Sequence, residues 1–128
     1  LAPEGWHVPN YEEWSSLVEF LGGKDIAGHK MKSVVGWTAW ENKDGKIQSG
    51  NGDNSSEFNG LPGGFRYSHG KFNDISGSTF LWSATESNYD LDWFRTLHYN
   101  FRWVGYSHNV YGYTGVSRGA SVRCLRDY

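Results

Sequence analysis

Cysteine is almost missing from this chain. Cys124 stands alone, so neither an intramolecular disulfide nor dithiol chemistry within one chain is available. A single cysteine in an apolar stretch reads as a small buried hydrophobe. Basic clusters are missing too. The chain holds 12 Lys and Arg against 14 Asp and Glu, a formal charge of −2 with no Lys/Arg block, which removes the footprint of a nucleic-acid or anionic-membrane binder. No apolar run reaches the roughly 18 residues a membrane-spanning helix needs, so no membrane insertion of this domain is expected. No leader with a basic start and an apolar middle is found. The chain opens at Leu1 rather than Met, and the expectation is a piece excised from a longer protein. Proline is scarce (3).

Aromatic residues and glycine are abundant: 7 Trp, 8 Tyr, 7 Phe and 17 Gly in 128 residues. Such a chain is a folded, β-containing single domain, 1–128, and it is long enough to bury a core. Its aromatics exceed what that core needs, which places some of them on the surface, where Tyr and Trp carry recognition energy.

Local patterns predict an α+β domain. Asn10 followed by Glu13 reads as a capping box. Trp14, Leu17, Val18 and Leu21 form one helical face, and Gly22-Gly23 is the stop, so a helix is expected near 11–21. A shorter helix follows from Asp25 to Met31, with Ile26, Ala27 and Met31 inward. Residues 36–64 read as a long loop region pinned by Trp37, Trp40, Phe58 and Leu61. Beyond it the chain reads as short strands. Gly63–Tyr67 turns through Ser68-His69-Gly70 into Lys71-Phe72, and Phe80–Thr85 is a second strand. Trp93–Tyr99 is apolar on more than one face and so is expected to be central. A turn near Asn100–Val104 reverses the chain. Ala120–Arg126 closes the domain with Ala120, Val122 and Cys124 on one face.

Four segments then carry a family signature. They are Gly5-Trp6-His7-Val8-Pro9 with Glu13-Trp14, Leu61-Pro62-Gly63-Gly64-Phe65-Arg66, Leu81-Trp82-Ser83-Ala84-Thr85-Glu86, and Ser121-Val122-Arg123-Cys124-Leu125-Arg126-Asp127. In this order they resemble the Fibrobacter succinogenes major paralogous domain. The resemblance implies kinship with the formylglycine-generating-enzyme/sulfatase-modifying domain and a C-type-lectin-like fold, with two N-terminal helices packed on small antiparallel sheets among long irregular loops. It also implies exported or surface-attached bacterial proteins, often lipoproteins, and relatives that serve as variable proteins of diversity-generating retroelements. Beside it, the residues have structural readings of their own: Gly63-Gly64 allows close backbone approach, Trp82 is core, Glu86 meets loop amides, and Arg123 pairs inside the fold.

Catalysis is not expected. The formylglycine-generating enzymes bind copper through a cysteine pair, a donor set suited to Cu(I), and this chain has only Cys124. Lectin calcium triplets are incomplete, since Val8-Pro9-Asn10 lacks the acid and Phe72-Asn73-Asp74 lacks the Trp. Asp53, Asn54 and Glu57, with Asn51, are weak candidates for a structural calcium ion. Solvated turn residues are the alternative reading, there and at Asn42-Lys43-Asp44-Gly45. The His residues (7, 29, 69, 98, 108) lack zinc spacing, and neither a nucleophile elbow nor a phosphate loop occurs. No cofactor is expected.

The remaining signal is a binding surface. From His98 to Thr114, six of seventeen residues are aromatic, interleaved with Asn, Ser, Arg and His, which is the composition of a paratope. The expected ligand-binding residues are Asn100, Arg102, Trp103, Tyr106, His108, Asn109, Tyr111 and Tyr113. All but Asn100 are expected to be largely exposed, with Trp93, Leu97 and Val122 in the core. The first functional expectation is a non-catalytic module with 88–114 as a tolerant surface for a protein ligand, a reading a retroelement target would share. The alternative is a carbohydrate-binding module stacking sugar rings on Trp37, Trp40, Trp103 or Tyr106.

Overall fold

In the computed structural model, which describes residues 1–85, 94–107 and 119–128, two helices and several small antiparallel sheets form an α+β domain. Helix α1 spans Tyr11–Phe20. The expected capping box is present: the Glu13 backbone N–H donates to Asn10 Oδ1 and the Asn10 N–H to Glu13 Oε2, both at 2.9 Å. Gly22 and Gly23, at φ 105° and 100°, end the helix by returning their N–H groups to Glu19 and Val18, as left-handed residues do after a helix. Trp14, Val18 and Leu21 are buried and Leu17 packs beside them. Helix α2, Lys24–Met31, buries Ala27 and Met31 completely. Ile26, expected inward, is 37% exposed, because it lies on the side of the helix turned toward Gly22.

Strand β1 (Trp6–His7) pairs antiparallel with the last strand, β9 (Leu125–Arg126), so the two ends of the chain meet. The 36–64 region contains a hairpin that its composition did not reveal, β2 (Trp40–Glu41) against β3 (Ile47–Gln48). Its turn is the Asn42–Gly45 stretch: Asn42 Oδ1 accepts the N–H groups of Asp44 and Lys46, each at 3.0 Å, an Asx turn rather than a metal loop. Trp37 and Phe58 do pin this region to the core, but Leu61 is 58% exposed. Strands β4 (Phe65–Arg66) and β5 (Phe72–Asn73) form the expected hairpin. Gly64 enters it at φ 65°, where a Cβ would strike the backbone of residues 73–75.

The largest sheet has the order β6-β7-β8, with β6 at Ser78–Trp82, β7 at Phe94–His98 and β8 at Gly105–Ser107. The middle strand is β7, as its two-sided apolar pattern requires. Leu81 and Leu97 face the helices, in one cluster with Trp14, Val18, Met31 and Trp37. Phe80 and Phe94 face the other way and pack with Phe65. Trp82, expected in the core, is half-buried at the edge of this second cluster.

The closing segment departs from expectation. Of 120–126 only Leu125–Arg126 is strand. Val122 is 39% exposed and Cys124 is half-buried, because the segment meets the sheet at Ala120 and Ser121 and then peels away to reach β1. Arg123 is exposed and lays its guanidinium over the Phe58 ring at 4.6 Å instead of pairing inside. Trp93 and Glu86 lie outside the described residues. Among the described residues, no helix is long and apolar enough to cross a membrane.

Candidate recognition site

Strand β7 delivers the chain to a loop, Tyr99–Val104, that is tied down from beneath. Its main anchor is Lys32, the residue after α2, which is only 3% exposed. The Lys32 ammonium donates to the carbonyls of Gly50 (2.8 Å), His98 (3.0 Å) and Phe101 (3.1 Å), and sits 5.3 Å from the centre of the Trp37 ring. Burial pushes its pKa down to about 8, and the charge of Arg102 presses the same way. The three carbonyl oxygens face the charged form and keep it protonated at neutral pH.

Helix α2 holds the other end of the loop. The His29 N–H donates to Arg102 O (3.0 Å) and the Val104 N–H to Lys24 O (2.8 Å). The approach needs a glycine at position 28, where a Cβ would collide with the carbonyl oxygens of Arg102 and Trp103. Val104 is buried, and Tyr99 packs against the same core. The residues between these anchors face outward. Trp103 stacks on Phe101 with ring centres 4.5 Å apart and lies 5.6 Å from His98. Tyr106 on β8 covers Arg95, whose guanidinium is sandwiched 4.3 Å from the Tyr106 ring and 4.8 Å from the Tyr11 ring.

Among the described residues, two concavities border this loop. The first, about 270 Å³, is lined by His29, Lys32, Trp40, Gln48, Asn100 and Arg102, among others. The second, about 360 Å³, lies between Lys24-Asp25 and the Trp103–Tyr106 stretch. Asn100 and Arg102 therefore serve one hollow, and Trp103 and Tyr106 the other. Arg102 is exposed, and Tyr106 is 41% exposed. Trp103 is only half-buried rather than largely exposed, because Phe101 and His98 take one side of its ring. His108, Asn109, Tyr111 and Tyr113 lie outside the described residues.

Other candidates fare differently. Trp37 is 6% exposed, and its indole N–H points inward to Ser33 Oγ and Gly60 O, so it offers no face to a sugar. Trp40 remains accessible and half-buried. Asp53 Oδ1 accepts the Ser55 N–H (2.9 Å) and Asn54 Oδ1 the Asn59 N–H (2.7 Å), while Glu57 is left-handed at φ 60°. These are the bonds of a self-capped loop. Asp53 is held below the usual carboxylate range, chiefly by the Ser55 N–H. Among the described residues, no three His, Cys, Asp or Glu side chains converge as a metal site would require. Lys32, Gln48 and His29 were not legible as site residues, since nothing local marks a lone lysine or glutamine as lining a hollow made by distant segments.

The profile of the Fibrobacter succinogenes major domain matches residues 1–126. The chain belongs to this family. No curated protein and no solved structure matches it. In this major domain, the segments that carry the family resemblance build the frame. The first and last are joined by strands β1 and β9 and by His7, whose ring nitrogens lie 2.6 Å from Asp127 Oδ1 and 2.8 Å from Glu13 Oε1. The second provides Gly64 and β4, and the third begins with Leu81 and Trp82 at the end of β6. The Tyr99–Tyr106 stretch belongs to none of the four, so the major domain carries its candidate site on a loop outside its signature.

Proposed function

We propose that this major domain is a non-catalytic ligand-binding module on a C-type-lectin-like scaffold, displayed at a bacterial surface, with the 88–114 region as its recognition face. The observation that carries the reading is the division of labour in Tyr99–Tyr106. Backbone groups and the Tyr99 and Val104 side chains are fixed by Lys32, α2 and the core. Asn100, Arg102, Trp103 and Tyr106 border open hollows. A rigid backbone with changeable aromatic and polar side chains lowers the ordering cost of binding and lets specificity vary without loss of fold. The single Cys124 argues against the copper-dependent chemistry of the formylglycine-generating enzymes, which requires two thiolates.

Arrayed bacterial surface proteins and arrayed glycans, probed with the wild-type domain and with an Arg102→Gln/Tyr106→Ser double variant, test the reading. The expected result is specific binding that the double variant loses while its melting temperature stays within a few degrees. Binding that survives the double variant sinks the proposed face. A near-identical, Asn-rich repeat beside the gene, next to a reverse transcriptase, is the expected mark if a retroelement diversifies the loop, and its absence removes that version.

A carbohydrate ligand is the second reading. It is favoured by one arrangement: Trp40 and its cross-strand partner Gln48 share a hollow with Asn100 and Arg102. An aromatic ring flanked by amides suits a sugar, which presents one apolar face and a rim of hydroxyls.

A further inference from the structure

The Trp40–Arg102 hollow has a charge pattern of its own. Two cationic side chains border it, Lys32 after α2 and Arg102 on the loop, and among the described residues no Asp or Glu is in its wall. His29, also in the wall, has its pKa lowered by burial and adds no charge at neutral pH. The ion pairs between described residues join His7 to Glu13 and Asp127, and His29 to Asp53, and neither Lys32 nor Arg102 is in them. The Lys32 and Arg102 charges thus meet no carboxylate there. Backbone carbonyls solvate the Lys32 ammonium without cancelling its charge. A charge held in a partly enclosed, low-dielectric wall projects a stronger field than the same charge on an open surface. A chain whose overall charge is −2 therefore keeps a local positive spot beside the Trp40 ring and the side-chain amides of Gln48, Asn51 and Asn100. The volume of about 270 Å³ lies just below the roughly 300–1,000 Å³ of most ligand sites and suits a single sugar ring of a longer chain.

We infer that this hollow takes a carboxylate-bearing pyranose, a uronate unit of an acidic oligosaccharide, with its carboxylate against Arg102 and its ring against Trp40. The inference rests on the carbohydrate reading above and narrows it to acidic sugars. Arg102 is the natural carboxylate partner, because its planar fork matches the two oxygens. The buried Lys32 charge reinforces the field without contacting the ligand.

Calorimetric titration of the domain with uronate trisaccharides (galacturonate, glucuronate and mannuronate), each paired with its methyl ester, is the test, since the ester removes the charge and keeps the ring. The expected result is that at least one acid binds about tenfold tighter than its ester, as one charge-assisted contact predicts. Arg102→Gln is expected to erase that preference, Trp40→Ala to weaken acid and ester together, and Arg66→Gln, on the exposed side of β4, to change neither. Acid and ester binding alike, with Trp40→Ala still harmful, overturns the acidic-sugar inference and leaves the carbohydrate reading standing. No binding by any member of the panel overturns both. A triglutamate peptide that binds as tightly as the best uronate overturns the sugar class and points to an acidic protein ligand.

Discussion

Lys32 shows how a single side chain organises the recognition loop. Its ammonium gathers carbonyls from residues 50, 98 and 101, segments that share nothing in sequence. Replacing it with Met leaves these acceptors buried without a donor, a loss of about 1–3 kcal/mol. Urea denaturation of Lys32→Met is expected to show a shift of that size in the unfolding free energy. A carbon-13 titration of the Lys32 ε-methylene is expected to show a midpoint of about 8, well below a solvent-exposed lysine. His7 acts at the other end of the molecule. Its hydrogen bonds to Asp127 and then Glu13 raise its pKa above 6.5, while the Asn10 N–H and His7 lower that of Glu13 below 4.5. The imidazolium contribution is complete below 6.5 and is lost as pH rises through the higher folded value. The Glu13 contribution is complete above 4.5 and is lost as pH falls through the lower folded value. The melting-temperature deficit of His7→Gln is therefore expected to be greatest between 4.5 and 6.5 and to shrink on the alkaline side. A deficit independent of pH contradicts the clamp.

The elements divide into those fixed by local sequence and those made by contacts. Helix α1 was legible because its capping box, its apolar face and its glycine stop agree. Strand β7 was legible because it is apolar on both faces, and a strand of that kind fits only between two partners. The β2–β3 hairpin was not legible, since Trp40–Glu41 and Ile47–Gln48 are two residues each and too short for any alternation. Helix α2 and the recognition loop form one unit through Gly28. Gly28→Ala places a methyl group against two carbonyl oxygens, and overpacking of this kind costs about 1–3 kcal/mol. Increased amide exchange at His29 and Val104, whose N–H groups bridge the unit, is the expected signature. By contrast, substitutions at Arg102, whose side chain lies outside this contact, are expected to change stability by less than about 0.5 kcal/mol. A stability scan across positions 97–106 checks the contrast. Equal sensitivity at Leu97 and Arg102 contradicts the separation of frame from face.

At the scale of the whole molecule, two apolar clusters lie on opposite faces of one three-stranded sheet, and Trp14 joins α1 to it. Trp14 is 2% exposed, meets Phe58 edge-on and donates its indole N–H to Trp82 O. Trp14→Ala is expected to lose about 3–5 kcal/mol, read as a drop in the thermal midpoint, which for a domain of this size is a large share of the total. The α+β class, both helices, the central strand and the outward tendency of Arg102 and Tyr106 were legible in the chain alone. Each of these rests on spacing within a few residues or on composition. Packing decided that Trp37 is core while Trp40 is accessible, and that Val122 is exposed. It also decided that Lys32, Gln48 and Arg102 share one hollow. Those outcomes depend on which distant segments meet, and a neighbour contributed from sixty residues away leaves no trace in local periodicity.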